Sequence, residues 1–219
     1  MSGPPVCGDW LSVARLRFPE LLHLHNPDNA QHLVRFYEDD VFVIDNVAYL
    51  ASEALAAGVS VVILATDSHQ RQIHQQLLRF RPDLDCLESL PSSDHYITTD
   101  AAEALSQLMI DGSPDEAAFD RTIGKIICEA AAHSTNGFVF VFGEMVALLC
   151  AAGNPAAALR LEQHWNHLAQ RQRFSLYCVY PLSSFEIQQN LDILTRICAE
   201  HTFTVPAESS LYGTAPRND

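Results

Sequence analysis

The 219 residues are enough for one α/β domain built around a single sheet, and 48% of them are hydrophobic against 18% charged, which excludes a disordered chain. The formal charge is −14, from 27 acidic and 13 basic residues. That field repels phosphate backbones and anionic headgroups, so nucleic acid and membrane surfaces are not expected as partners.

Residues 1–30 hold Pro4, Pro5, Pro27 and a short amphipathic piece between Trp10 and Leu22, and read as an N-terminal arm or docking segment. The first residues lack a basic stretch followed by an apolar core, and no uncharged run reaches the roughly 20 residues of a membrane span. Six cysteines are dispersed without a CxxC pair, four of them in apolar stretches, as expected of buried thiols in a reducing compartment. The expected location is the cytoplasm.

From Gln31 short β-rich runs alternate with helical patterns, which predicts stacked βα units and a mostly parallel sheet in one three-layer α/β domain. The predicted strands are 33–37, 59–66, 95–99, 138–142, 174–180 and 202–205. Several are continuous apolar runs, the pattern of strands covered on both faces. Asp39 and Asp40 open a helix that ends at Gly58, and Asp100 with Glu103 makes a capping box. Ser113-Pro114 with Glu116 predicts an N-cap, a proline at the first helical position and a capping-box acid. Asn154-Pro155 starts a second helix directly after one that closes at Gly153, so 144–170 reads as a helical hairpin. Residues 206–219 read as a loose tail.

Ligands of open parallel sheets bind beyond the carboxyl ends of the strands. Here those ends carry Tyr37, Glu38, Asp39 and Asp40, then Asp67 and His69, Asp100, Glu144, and Tyr180 with Pro181. None contains a Gly-rich phosphate loop, and the single lysine, Lys125, lies in a helical run. Nucleotide hydrolysis is therefore disfavoured. Most of these acids stand where a carboxylate caps a helix. Glu144 differs, because it joins an apolar strand to an apolar helix and a charge there requires a partner. The ten histidines show no metal-ligand spacing, no metal or cofactor is expected, and His164 and His167 share one helix face. His32 opens the first strand and Cys178 lies within the fifth, both able to approach the sheet's working edge. Trp165 falls in register with Ala158, Leu161 and Leu168, a stripe of core type.

Three stretches, HLVRFYEDD (32–40), AGVSVVILATDSH (57–69) and FGEMVALLCAAGNPAAALRLEQHWNHLA (142–169) with FSLYCVYPL (174–182), together resemble the MEDS domain, a methanogen and methylotroph sensory domain. The segment LMIDGSPDEAAFDRTIG (108–124) is similar to the family's pattern as well. The resemblance covers about 31–205 and implies a RecA- or KaiC-like layout without the phosphate-binding loop. It implies a sensor of small ligands, simple hydrocarbon derivatives among them, that acts on kinases or DNA-binding outputs. By carry-over, His32, Tyr37, Glu38, Asp39, Glu144, Trp165, Cys178 and Tyr180 are the candidate ligand-binding residues, with Gly143, Glu162 and Pro181 in the same motifs. Phe140 stands where the family often has arginine, which removes an anion contact there.

Only fourteen residues follow Val205, so the expected output is a separate signalling protein such as a histidine kinase or a transcription regulator. Two alternatives remain open: an interaction module without ligand, and a residual nucleotide- or metal-dependent enzyme with Glu144 polarising water.

Overall fold

The structure, a computed structural model, describes residues 28, 30–82, 94–184, 187–205 and 207. Nearly all of the expected arm at 1–30 and tail at 206–219 lies outside the described residues, as do His23, His25, Cys7 and Cys86.

Six strands form one sheet: β1 (His32–Tyr37), β2 (Ser60–Ala65), β3 (Tyr96–Asp100), β6 (Val139–Gly143), β7 (Phe174–Pro181) and β8 (Phe203–Val205). Their order is β3-β2-β6-β7-β1-β8 and every pairing is parallel. All six predicted strands are present. The apolar runs take the four central places, where both faces are covered, while YITTD and FTV, more polar or shorter, take the two edges.

Helices α1 (Asp40–Ala56) and α2 (Asp67–Phe80) cover one face. The other is covered by α3 (Ala101–Leu108), α4 (Glu116–Phe119), α5 (Lys125–His133), α6 (Met145–Ala151), α7 (Pro155–Ala169) and α8 (Ile187–Ala199). The molecule is thus a three-layer α/β domain with a core on each side of the sheet. Strand alternation sorts the side chains: Leu33, Tyr37, Tyr177 and Val179 enter the α1–α2 core, whereas Val34, Phe36, Cys178 and Tyr180 enter the opposite one.

Asp39 caps α1 through Val41 N–H at 2.9 Å, Asp100 caps α3 through Ala102 and Glu103, and Asn154 caps α7 through Ala157 N–H, each where expected. Ser113-Pro114 does not begin a helix. It forms β5 (Ser113–Pro114), which pairs antiparallel with β4 (Met109–Ile110) around Asp111 and Gly112 at φ 50° and 78°. Asp-Gly with both residues at positive φ is the turn that closes a tight hairpin, and it outweighs the capping pattern. The cap falls to Asp115, which accepts from Ala118 N–H at 2.8 Å. The described cysteines are free: Cys150 and Cys178 are buried, Cys198 is half-buried, and Cys128 faces solvent from the outer side of α5, unlike the buried thiol expected. Among the described residues no helix is long and apolar enough to cross a membrane.

Candidate functional site

Two polar clusters interrupt the apolar packing around the sheet. The larger lies on the α7 side. Glu162, on the inner face of α7, is completely buried, and a carboxylate there requires several partners to offset its lost hydration. Tyr180 Oη donates to its Oε1 at 2.7 Å and the Cys178 thiol donates to its Oε2 at 3.5 Å. His32 Nε2 stands 3.1 Å from Oε2, and His201 Nε2 3.4 Å from Oε1. The residues come from β1, α7, β7 and the turn before β8, so only the tertiary fold assembles them.

Burial pushes the Glu162 carboxyl up, but His201 and His32 beside it outweigh that and hold it below the usual carboxylate range. Burial, reinforced by Glu162, raises the Cys178 thiol and the Tyr180 phenol well above their ordinary values. Cys150 is pushed up to about 12, first by burial and then by Glu162. These thiols are therefore not nucleophiles near neutral pH in this arrangement.

The second cluster lies at the carboxyl ends of β2 and β6. Glu144 follows β6 directly, and its side chain caps no helix. It accepts from Thr66 N–H at 2.9 Å and binds His69 Nδ1, whose Nε2 lies 3.6 Å from Asp40. This supplies the partner that its apolar surroundings demand. The hydrogen bond to Glu144 raises the His69 pKa, burial opposes it, and Asp40 adds to the rise.

The sequence candidates thus divide. His32, Cys178 and Tyr180 come together around Glu162. Glu144 belongs to the other cluster, Tyr37 points into the opposite core, Glu38 is exposed, and Asp39 spends its carboxylate on the α1 cap. His32, Tyr37, Glu144 and Cys178 therefore do not bound one common pocket. Trp165 packs edge-on against Phe119 and Phe174 with ring centroids 5.0 and 5.8 Å away. Asp39 also occupies the Val41 amide, one that an anion at this helix start would use, and Glu38, Asp39 and Asp40 place three carboxylates in the β1–α1 turn. Glu162 was marked in the sequence only through the family motif and not as a candidate site residue; the signal that could have found it is an acid on the buried side of the helix that carries Ala158 and Trp165. His201 sits in a turn without periodicity and left no such signal.

A hollow of about 190 Å³ opens at the amino ends of β1 and β7, lined by Gln31, His32, Trp165, Asn166, Phe174, Leu176 and Thr202 among others. Gln31 Oε1 is buried in this region without a hydrogen-bond partner. A shallower groove of about 100 Å³ runs between α1 and α2 near Asp45 and Arg79.

Comparison with curated proteins and with solved structures returns no match. The model of the MEDS family, described as the methanogen/methylotroph, DcmR sensory domain, matches residues 31–196. That span runs from the strand that carries His32 into α8 and takes in both polar clusters apart from His201, and on that match the chain belongs to the MEDS family of sensory domains.

Proposed function

We propose that this sensory domain takes a small, mostly apolar molecule into the hollow beside His32 and passes the resulting change to a signalling protein, such as a histidine kinase or a transcription regulator. The observation that carries the reading is the hollow itself. Its volume of about 190 Å³ is of the order that holds a benzene-sized molecule, and its walls combine Trp165, Phe174 and Leu176 with a few polar groups. The buried Gln31 Oε1 would accept from a ligand hydroxyl, which favours a short alcohol or a similar hydrocarbon derivative. The site has contacts with the strand and helix that carry Glu162 and Cys178, so occupancy can reach the core. The absence of a phosphate cradle at the β1–α1 turn supports sensing over nucleotide hydrolysis. A layout of the RecA type agrees with the all-parallel sheet.

The test is thermal denaturation with a panel of short alcohols, aldehydes and halomethanes, read together with tryptophan emission. A binder raises Tm in proportion to the logarithm of its concentration once above its Kd. Ala169→Trp, at the exposed rim, should abolish the shift without lowering the stability of the free protein. If no compound of these classes moves Tm, or if the shift survives Ala169→Trp, the reading fails.

A further inference from the structure

Glu162 and three of the groups around it, His32, Cys178 and His201, have the composition and spacing of a metal shell. His32 Nε2 lies 3.1 Å from Glu162 Oε2, Cys178 Sγ lies 3.5 Å from Oε2 and 3.7 Å from His32 Nε2, and one ligand atom from each of the four residues falls within 4.8 Å of the others. A tetrahedral zinc ion, with bonds of about 2.0–2.1 Å to nitrogen or oxygen and about 2.3 Å to sulfur, keeps its ligand atoms roughly 3.3–3.6 Å apart. The three separations among His32, Glu162 and Cys178 are close to those tetrahedron edges, and His201 Nε2 lies within 4.8 Å of the same atoms.

The tautomers point the same way. Asn166 Nδ2 donates to the backbone oxygen and to the carboxylate of Glu200, both at 2.9 Å and both acceptors only. This fixes the amide so that Asn166 Oδ1 faces His32 Nδ1 at 2.8 Å, and Nδ1 must be the protonated nitrogen. His201 Nδ1 stands 2.7 Å from the Ile197 carbonyl oxygen and must likewise donate. In neutral imidazoles the Nε2 lone pairs of both histidines then face a carboxylate and a thiol. His201 Nε2 is fully buried, with no hydrogen-bond partner. Two lone pairs turned on a carboxylate repel; protons on the two rings relieve this as ion pairs with Glu162, and one metal cation shared by the four groups relieves it as well while also taking the thiolate. Histidines that ligate metals characteristically donate their other ring nitrogen to a carbonyl in this way.

We infer that His32, Glu162, Cys178 and His201 bind one divalent transition metal ion of the zinc class. Thiolate and imidazole ligands select zinc over magnesium or calcium, which prefer oxygen shells. Four protein ligands complete the shell, so the site is closed and structural. On binding, the Cys178 S–H bond breaks, the proton leaves to buffer, and sulfur bonds the metal. The ion ties β1 and β7 to α7 and to the turn before β8, a turn already held through Thr202, which donates from N–H to His32 O at 2.7 Å. The site shares His32 with the neighbouring hollow, but the case for it rests on the four ligands and not on any small molecule bound there.

The test begins with elemental analysis of the full chain purified without chelator, which should show about one zinc per chain. Exchange with cobalt should then give visible d–d bands of tetrahedral intensity and a thiolate-to-cobalt charge-transfer band. Cys178→Ser should lose the charge-transfer band. His201→Gln should weaken zinc binding more than about 100-fold and Asn166→Ala about 10–100-fold. Far-ultraviolet circular dichroism checks that each variant is folded. A second group of possible ligands, Glu116, His164 and His167, supplies the control, since His167→Gln should change none of these readouts. Wild-type protein that holds no zinc and gives no tetrahedral cobalt spectrum overturns the inference. So does metal binding that is unaffected by Cys178→Ser and His201→Gln.

Discussion

His69 lies between two carboxylates, bonded to Glu144 and 3.6 Å from Asp40, and its pKa is raised by the Glu144 hydrogen bond against the opposing effect of burial. A raised imidazole contributes stability that is complete below its unfolded value, near 6.5, and is lost as pH rises through the folded value. Thermal denaturation of wild type and His69→Gln across pH values from about 5.5 to about 9 should show the gap in Tm largest at the acid end and shrinking above neutrality. A gap constant with pH would mean that His69 contributes by packing alone. Glu162 answers to a different balance. Removing its carboxylate by Glu162→Ala strips the acceptor from Tyr180 and Cys178 in a dry core, at a cost on the order of 3–5 kcal/mol readable by urea denaturation. At this scale the sequence disclosed residues that obey a period. His32, Cys178 and Tyr180 stand on strands whose alternation could be read, and Glu162 breaks an apolar stripe. That His201 completes the group depends on how α8 returns the chain to β1, which no local pattern encodes.

Helix and strand boundaries were legible where a capping side chain or an unbroken apolar run marked them, as at Asp39, Asp100 and Asn154. They failed at Ser113, where two local signals competed and the Asp-Gly turn prevailed. That hairpin is held to the rest of the fold by Asn154, whose Oδ1 accepts from Ala157 N–H at 3.1 Å while its Nδ2 donates to Gly112 O at 2.9 Å. Asn154→Ala should cost about 1 kcal/mol from the lost cap and speed hydrogen exchange in β4 and β5. Two glycines after helix ends separate backbone strain from crowding. Gly58 and Gly153 share φ +72°, but a Cβ on Gly58 would lie 2.7 Å from Thr135 Cγ2, whereas one on Gly153 meets nothing within 4 Å. Thr135 cannot retreat easily, since its N–H and hydroxyl both donate to Gly58 O at 3.0 Å. Gly153→Ala should therefore lose about 1–2 kcal/mol from the left-handed backbone alone. Gly58→Ala should lose roughly 1–3 kcal/mol beyond that, and equal losses in urea denaturation would refute the crowding argument.

Over the whole molecule the sheet separates two cores of different use. The α1–α2 core is mostly apolar, with Tyr37 and Phe142 within it and Asn46 and Ser52 of α1 also buried, while the α7 core encloses the buried carboxylate and adjoins the hollow. The three-layer plan followed from the alternation of strands and helices, but which layer would hold the polar cluster depended on strand order, and strand order is set by long-range pairing. One property of the whole chain was fully open to sequence reading, its charge. With 13 basic residues against 27 acidic, one-to-one pairing would still leave fourteen acids without a Lys or Arg partner. Pairs such as Arg71 with Asp67, Lys125 with Glu129 and Arg171 with Asp120 lie at the surface and are of the kind worth at most about 1 kcal/mol each. Repulsion among the remaining carboxylates acts against the compact state and is screened once the Debye length falls to about 10 Å near 0.1 M salt. Tm should therefore rise between about 0.01 M and about 0.3 M sodium chloride. A fall over that range would mean that the surface ion pairs, which salt weakens, outweigh the repulsion.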